Sequence, residues 1–187
     1  MRKLSVFAAL LVAFLCVKPV PAQEAKKAEP KPAPGMAELV LEQWNDIGRK
    51  LVAMAEDFPE DKYNYKPAPE SRTFGAMMLH VTASMYYFTD IAEGKKPRYP
   101  DDPKDANLKT KAQIVAFAKQ CVADGAEEIN KLGDKGLEKV VNDGGPHLDP
   151  LYNLAYGLIE HSGEHYGALV VYYRANGMVP PESRPKK

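Results

Sequence analysis

Apolar residues recur at alternating steps of four and three through most of the chain, the spacing of helices that each bury one face. Val40, Trp44, Ile47, Leu51, Met54 and Phe58 mark a first helix from about Met36 to Phe58, with Trp44 predicted to be buried. A second segment, TFGAMMLHVTASMYYFTDIAEG, begins at Thr73, whose hydroxyl suits an N-cap, and ends near Gly94. The third runs from about Thr110 to Leu132, with Val115, Ala118, Val122, Ile129 and Leu132 as its inner stripe. The fourth, DPLYNLAYGLIEHSGEHYGALVVYYRANG, is predicted to open with Asp149 as N-cap and Pro150 at the first helical position, and to stop at Asn176-Gly177. No stretch alternates convincingly with period two. The pattern predicts an all-α fold, a four-helix bundle without a sheet.

The connections differ in kind. PEDKYNYKPAPESR joins the first two helices and KKPRYPDDPKDANLK the second to the third. Both are longer than a tight bundle turn and carry several prolines, so a crossover can replace simple up-down-up-down wiring. Between the third and fourth helices, GLEKVV reads as a short helix ahead of a Gly-Gly-Pro turn at His147.

Outside the bundle the character changes. Arg2 and Lys3 precede an apolar run from Leu4 to Val17, and Val20-Pro21-Ala22 offers a cleavage site. The run is short for a membrane span, so residues 1–22 are read as a secretory signal cut after Ala22, with no stable membrane anchor afterwards. Cys16 is a poor candidate for lipidation, since Leu15 before it is too large for that processing. Residues 23–35, QEAKKAEPKPAPG, lack apolar periodicity and read as a solvated, disordered linker. Residues 36–184 then form the folded domain, and the expected location is periplasmic or extracellular.

Charge narrows the partners. The sequence has 25 basic and 25 acidic residues, and losing Arg2, Lys3 and Lys18 with the signal leaves a formal charge of −3. No basic patch dominates any helix, which argues against nucleic acid. Cys121 is the only cysteine of the mature chain, so no internal disulfide is available, and its place in a helical stripe predicts a buried, inert thiol.

Histidine supplies the candidate chemistry. His161 and His165 are four residues apart, on one face of the fourth helix and about 6 Å apart along its axis. They fall in the stripe Leu154, Leu158, His161, His165, Leu169, Tyr172, and His80 falls in the stripe Met77, His80, Ser84, Tyr87, Ile91. Inward-pointing imidazoles need partners for both ring nitrogens, and a cation shared by three of them meets that need. The plainer reading is of separate, hydrogen-bonded core histidines. His161 to His165 also fits H-x-x-E-H, the signature of the inverted zinc peptidases. Those enzymes need a larger sheet-containing domain and a distant acidic ligand, whereas only Glu182 follows His165 here, so the peptidase reading is rejected. Glu164 is expected beside the histidines, solvated or accepting from an imidazole. Ser84, Tyr86, Tyr87 and Tyr166 are candidates to line a cavity, although helical tyrosines usually pack, and His147 is expected in solvent.

Several separated stretches also carry a resemblance: KYNYKPAPESRTFGAMMLH, the second-helix histidine in FGAMMLHVTASMYYF, and HSGEHYGALVVYYRANGMVPPESR. Together they resemble the DinB-like family of metal-dependent four-helix bundles, over essentially all of Met36 to Arg184. The resemblance implies a long crossover after the second helix and a divalent metal held by His80, His161 and His165, all of which are present. Imidazole suits zinc first, with nickel, iron or manganese as alternatives. It also implies a hydrolase or thiol transferase acting on a small-molecule substrate that the sequence does not identify. Export counts against the thiol chemistry, because abundant reduced thiols are cytosolic. A non-catalytic metal- or ligand-binding bundle is the alternative function, and a homodimer is an open expectation.

Overall fold

In the computed structural model, the described residues are 32–99 and 108–185. The expected signal and most of the expected linker therefore lie outside them. Among the described residues there are four long helices: α1 (Met36–Asp57), α2 (Phe74–Ala92), α3 (Lys111–Leu137) and α4 (Leu151–Ala175). None is long and apolar enough to cross a membrane.

The starts and stops follow local chemistry. Thr73 caps α2 by accepting from the Ala76 N–H at 3.1 Å. Thr110 and Gln113 close a reciprocal capping box at the head of α3. α3 breaks where the pattern ends: Gly133 adopts φ 58°, a value glycine tolerates without a Cβ penalty, and one further turn reaches Leu137.

Two expectations need correction at the α3–α4 junction. Val140–Val141 is not helical but pairs antiparallel with Asp149–Pro150, a two-residue ladder β1–β2 in a fold expected to have no sheet. Pro150, not Asp149, is the N-cap of α4, and its backbone is extended. The Asp149 carboxylate instead accepts from the Asn153 side chain at 3.1 Å. Ladder pairing holds both residues extended, and the Leu151 N–H donates to the Lys139 carbonyl at 3.0 Å. That tertiary bond outweighs the local preference for proline inside the first turn.

Around the bundle, α1 and α2 each pack against both α3 and α4 and lie diagonal to one another. Their directions follow from the contacts. Trp44 of α1 meets Gly125 of α3 while Gly35 meets Asp134 beyond it, so α1 and α3 are antiparallel. Gly75 of α2 lies against Ile114 of α3, and Tyr86 against Asp124, so α2 and α3 run parallel. A parallel pair forces the chain back along about 28 Å of helix before α3 can start, which is the long crossover after α2. Residues 100–107 of that connection are outside the described set. Its first part is pinned by Arg98, whose backbone N–H and guanidinium donate to the buried Asp90 carboxylate at 2.5–3.1 Å.

The core has two parts. One gathers Phe58, Phe74, Met78, Leu169 and Tyr173, with the Phe58 and Phe74 rings stacked at 3.8 Å. The other surrounds Trp44 with Met85, Phe88, Cys121, Ile129 and Leu151. Trp44 is fully buried, as its stripe predicts, and donates to the Val122 carbonyl at 3.0 Å. Cys121 is a buried free thiol whose pKa is pushed up by desolvation.

Candidate metal centre

His80 is carried by α2 and His161 and His165 by α4, on the seam where these antiparallel helices face each other. Two tyrosines set the register of the seam. Tyr172 on α4 donates to the Arg72 carbonyl just before α2, at 2.7 Å, and Tyr173 donates to the Met54 carbonyl of α1, at 2.9 Å. The connection before α2 folds back on itself as well. Phe74 and Gly75 donate backbone bonds to the Tyr65 and Tyr63 carbonyls, and the Tyr63 hydroxyl reaches the Ala55 carbonyl. The motif KYNYKPAPESRTFGAMMLH is thus a brace that sets the start of α2, and with it the height of His80.

The three imidazoles meet at their Nε2 atoms. His80 Nε2 lies 3.2 Å from His165 Nε2, which lies 3.0 Å from His161 Nε2. One ligand atom from each residue falls within 4.8 Å of the others. Nitrogens bound to a common tetrahedral zinc at about 2.0–2.1 Å stand about 3.3–3.4 Å apart, so separations of 3.0 and 3.2 Å come close to those of a shared ion. A purely hydrogen-bonded cluster fits less well. Each Nε2 offers one in-plane hydrogen or one lone pair, so His165 Nε2 cannot serve both neighbours with good geometry. A cation among the three satisfies all of them.

The electrostatics agree. Burial, then the neighbouring His165 and His80, lower the His161 pKa from 6.5 to about 4, which keeps its imidazole neutral and able to ligate. Beyond the trio, Ser84 on α2 places its Oγ 3.2 Å from His161 Nδ1 and donates its hydroxyl to the Val81 carbonyl at 2.7 Å.

The location differs from a core-centred site. His80, His161 and His165 are each half-buried, as are all members of the stripe Met77, His80, Ser84, Tyr87, Ile91. The fully enclosed side of α2 is instead Phe74, Met78, Val81, Met85 and Phe88. Apolar residues cover nearly the whole circumference of α2, so periodicity alone cannot say which stripe is innermost. The site therefore lies on a half-buried seam and not at the centre of the core.

The other candidates separate. Of the cavity candidates, Ser84 touches the trio. Tyr86 instead donates to the Asp124 carboxylate at 2.7 Å, and Tyr87 to the Asp143 carbonyl at 2.7 Å. Tyr166 packs at the margin of the Phe58 cluster. Glu164 is exposed, and its charge bears only weakly on His161. His147 stands in the turn between β1 and β2, mostly exposed, 3.3 Å from an Asp149 oxygen. Glu182, the only acid after His165, is paired with Arg49 at 2.6 Å, which agrees with rejecting it as a distant ligand. Ser84 was legible only as a small polar residue one helical turn beyond His80 on the same face.

The DinB superfamily profile matches residues 43–169, more than half of the sequence. The chain belongs to the DinB superfamily. No curated protein matches it. Among solved structures, a DinB-like protein from Bacillus subtilis is 19% identical, with a TM-score of 0.63 over 79% of this chain and 99% of that one. A DinB-like protein from Bacillus cereus is likewise 19% identical, with a TM-score of 0.66 over 77% of this chain and 95% of that one. At such identities the likeness establishes the fold, and the bundle of this DinB-superfamily member is the shared feature.

Proposed function

We propose that this chain is an exported DinB-superfamily protein that binds a divalent ion, zinc by first preference, through Nε2 of His80, His161 and His165. Its function would be metal-dependent hydrolysis or group transfer on a small molecule. The observation that carries the reading is the convergence of three Nε2 atoms at 3.0 and 3.2 Å across two different helices. Among the described residues no carboxylate or thiol joins the group, which leaves coordination positions for water or substrate. Bound there, the ion would act as a Lewis acid toward a water, carbonyl or thiol reaching it from the open side of the seam. The chain's own part is to hold the imidazoles rigidly on two braced helices, keep His161 neutral, and leave one side of the trio accessible. Export rests on the Arg2-Lys3 start, the apolar run and Val20-Pro21-Ala22. N-terminal sequencing of the native protein should begin at Gln23; a cytoplasmic chain that keeps Met1 would refute export.

Metal analysis tests the centre. Purified wild type should carry a divalent ion through a chelating wash, and His80→Ala, His161→Ala and His165→Ala should each lose it while keeping the helical circular dichroism spectrum. Equal metal in all four proteins would remove the site. Cobalt substitution separates the two classes of function. With an open position, added azide or thiolate should change the visible cobalt bands. A spectrum indifferent to both would favour the non-catalytic bundle.

A further inference from the structure

Ser84 makes two contacts that together have a chemical consequence. Its Oγ lies 2.7 Å from the Val81 carbonyl oxygen and 3.2 Å from His161 Nδ1. A carbonyl can only accept, and 2.7 Å is the ordinary length of an O–H···O bond, so the single hydroxyl hydrogen lies on that side. Oγ then faces His161 Nδ1 with lone pairs alone. For that second contact to be attractive, Nδ1 must carry the proton. A neutral imidazole protonated on Nδ1 has its lone pair on Nε2, the nitrogen that stands 3.0 Å from His165 Nε2.

We infer that Ser84 is a positioning residue that locks His161 in the Nδ1–H tautomer and thereby aims the Nε2 lone pair at the cation position. The inference rests on the metal-site reading above for its purpose, but the tautomer itself is a property of the metal-free protein. The backbone carbonyl is what makes the device directional. A serine free of Val81 could donate to Nδ1 and stabilise the opposite tautomer, with a hydrogen on Nε2 where the ion must sit. Groups that accept from the outer nitrogen of a metal-ligating histidine fix ring orientation in this way. Here the acceptor comes from α2, one helical turn beyond His80, so the same helix that supplies one ligand also orients another.

Long-range nitrogen–proton NMR on labelled, metal-free protein at mildly alkaline pH reads the tautomer directly. Wild-type His161 should show a protonated Nδ1 and an unprotonated Nε2. In Ser84→Ala the two tautomers should mix, and zinc affinity measured by competition with a chromogenic chelator should fall about tenfold or more. Ser84→Thr should restore both readouts, since threonine can make the same backward bond to a carbonyl one turn earlier. A wild-type His161 protonated on Nε2 would overturn the inference, as would a Ser84→Ala protein with unchanged tautomer and zinc affinity. Should wild type take up no zinc, the metal reading fails by itself, and the nitrogen signature still decides whether Ser84 holds the tautomer.

Discussion

At the scale of residues, His161 links the site to stability. Its pKa is held at about 4 instead of 6.5, by burial first and by the adjacent imidazoles second. The unfolded chain therefore takes up a proton at this position as pH falls below about 6.5, while the folded chain resists until about 4. Stability from the neutral imidazole is complete above that window and is lost progressively through it. Thermal melts of chelator-treated protein should show Tm declining from pH 7 toward 4, and His161→Gln should decline less steeply. Carboxylates with lowered pKa, such as Asp57 beside Arg184, add their own acid loss only at lower pH. Equal slopes for wild type and His161→Gln over the upper part of the window would show that His161 does not carry the effect.

At the scale of elements, the packing of α1 against α3 depends on two glycines. A Cβ on Gly125 would stand 2.0 Å from the Trp44 ring, and one on Gly48 would stand 2.4 Å from Val122. Glycine ordinarily weakens a helix by about 1 kcal/mol relative to alanine. Here that cost is accepted because the indole fills the space where a methyl group would be. Gly125→Ala should therefore destabilise by about 1–3 kcal/mol through overpacking, and should shift the Trp44 fluorescence. Gly157 on the outer face of α4 has nothing within 4 Å of an added Cβ, so Gly157→Ala should leave stability unchanged or raise it by up to about 1 kcal/mol. Denaturant melts of the two variants give the comparison, and a Gly125→Ala protein as stable as Gly157→Ala would contradict the packing argument. A sequence reading sees Gly125 only as a weak point in a helix. Its reason lies on α1, in a side chain distant along the chain.

At the scale of the whole molecule, the three histidines are half-buried, whereas the two apolar clusters are built around fully buried residues. Those clusters and the clamp of the C-terminal segment on α1, through Arg49–Glu182 and Asp57–Arg184, hold the bundle independently of the site. Chelation should therefore leave the far-ultraviolet spectrum helical, unlike small zinc domains that unfold without their ion. Metal should still raise stability by mass action, about 2.7 kcal/mol at free zinc a hundredfold above Kd. Calorimetry with and without zinc measures the shift, and collapse of the helical signal on chelation would show that the core alone is insufficient.

The amino-acid pattern by itself determined the four helices and most of their ends, because a 3.6-residue period, the Thr73 and Thr110 caps and Gly177 act over one or two turns. It also singled out the candidate residues, since His161 and His165 are neighbours by helical geometry alone and His80 lies on a stripe of its own. Which stripe of α2 faces the core was a tertiary decision, because apolar residues cover nearly all of that helix and only the neighbouring helices distinguish its sides. Tertiary pairing also decided the ladder that holds Asp149 and Pro150 extended. The same holds for the contact of Ser84 with His161, which joins atoms of two helices related by no local periodicity. The distance between the Nε2 atoms, on which the metal reading rests, exists only once the brace before α2 and the tyrosines of α4 have set the register of the seam.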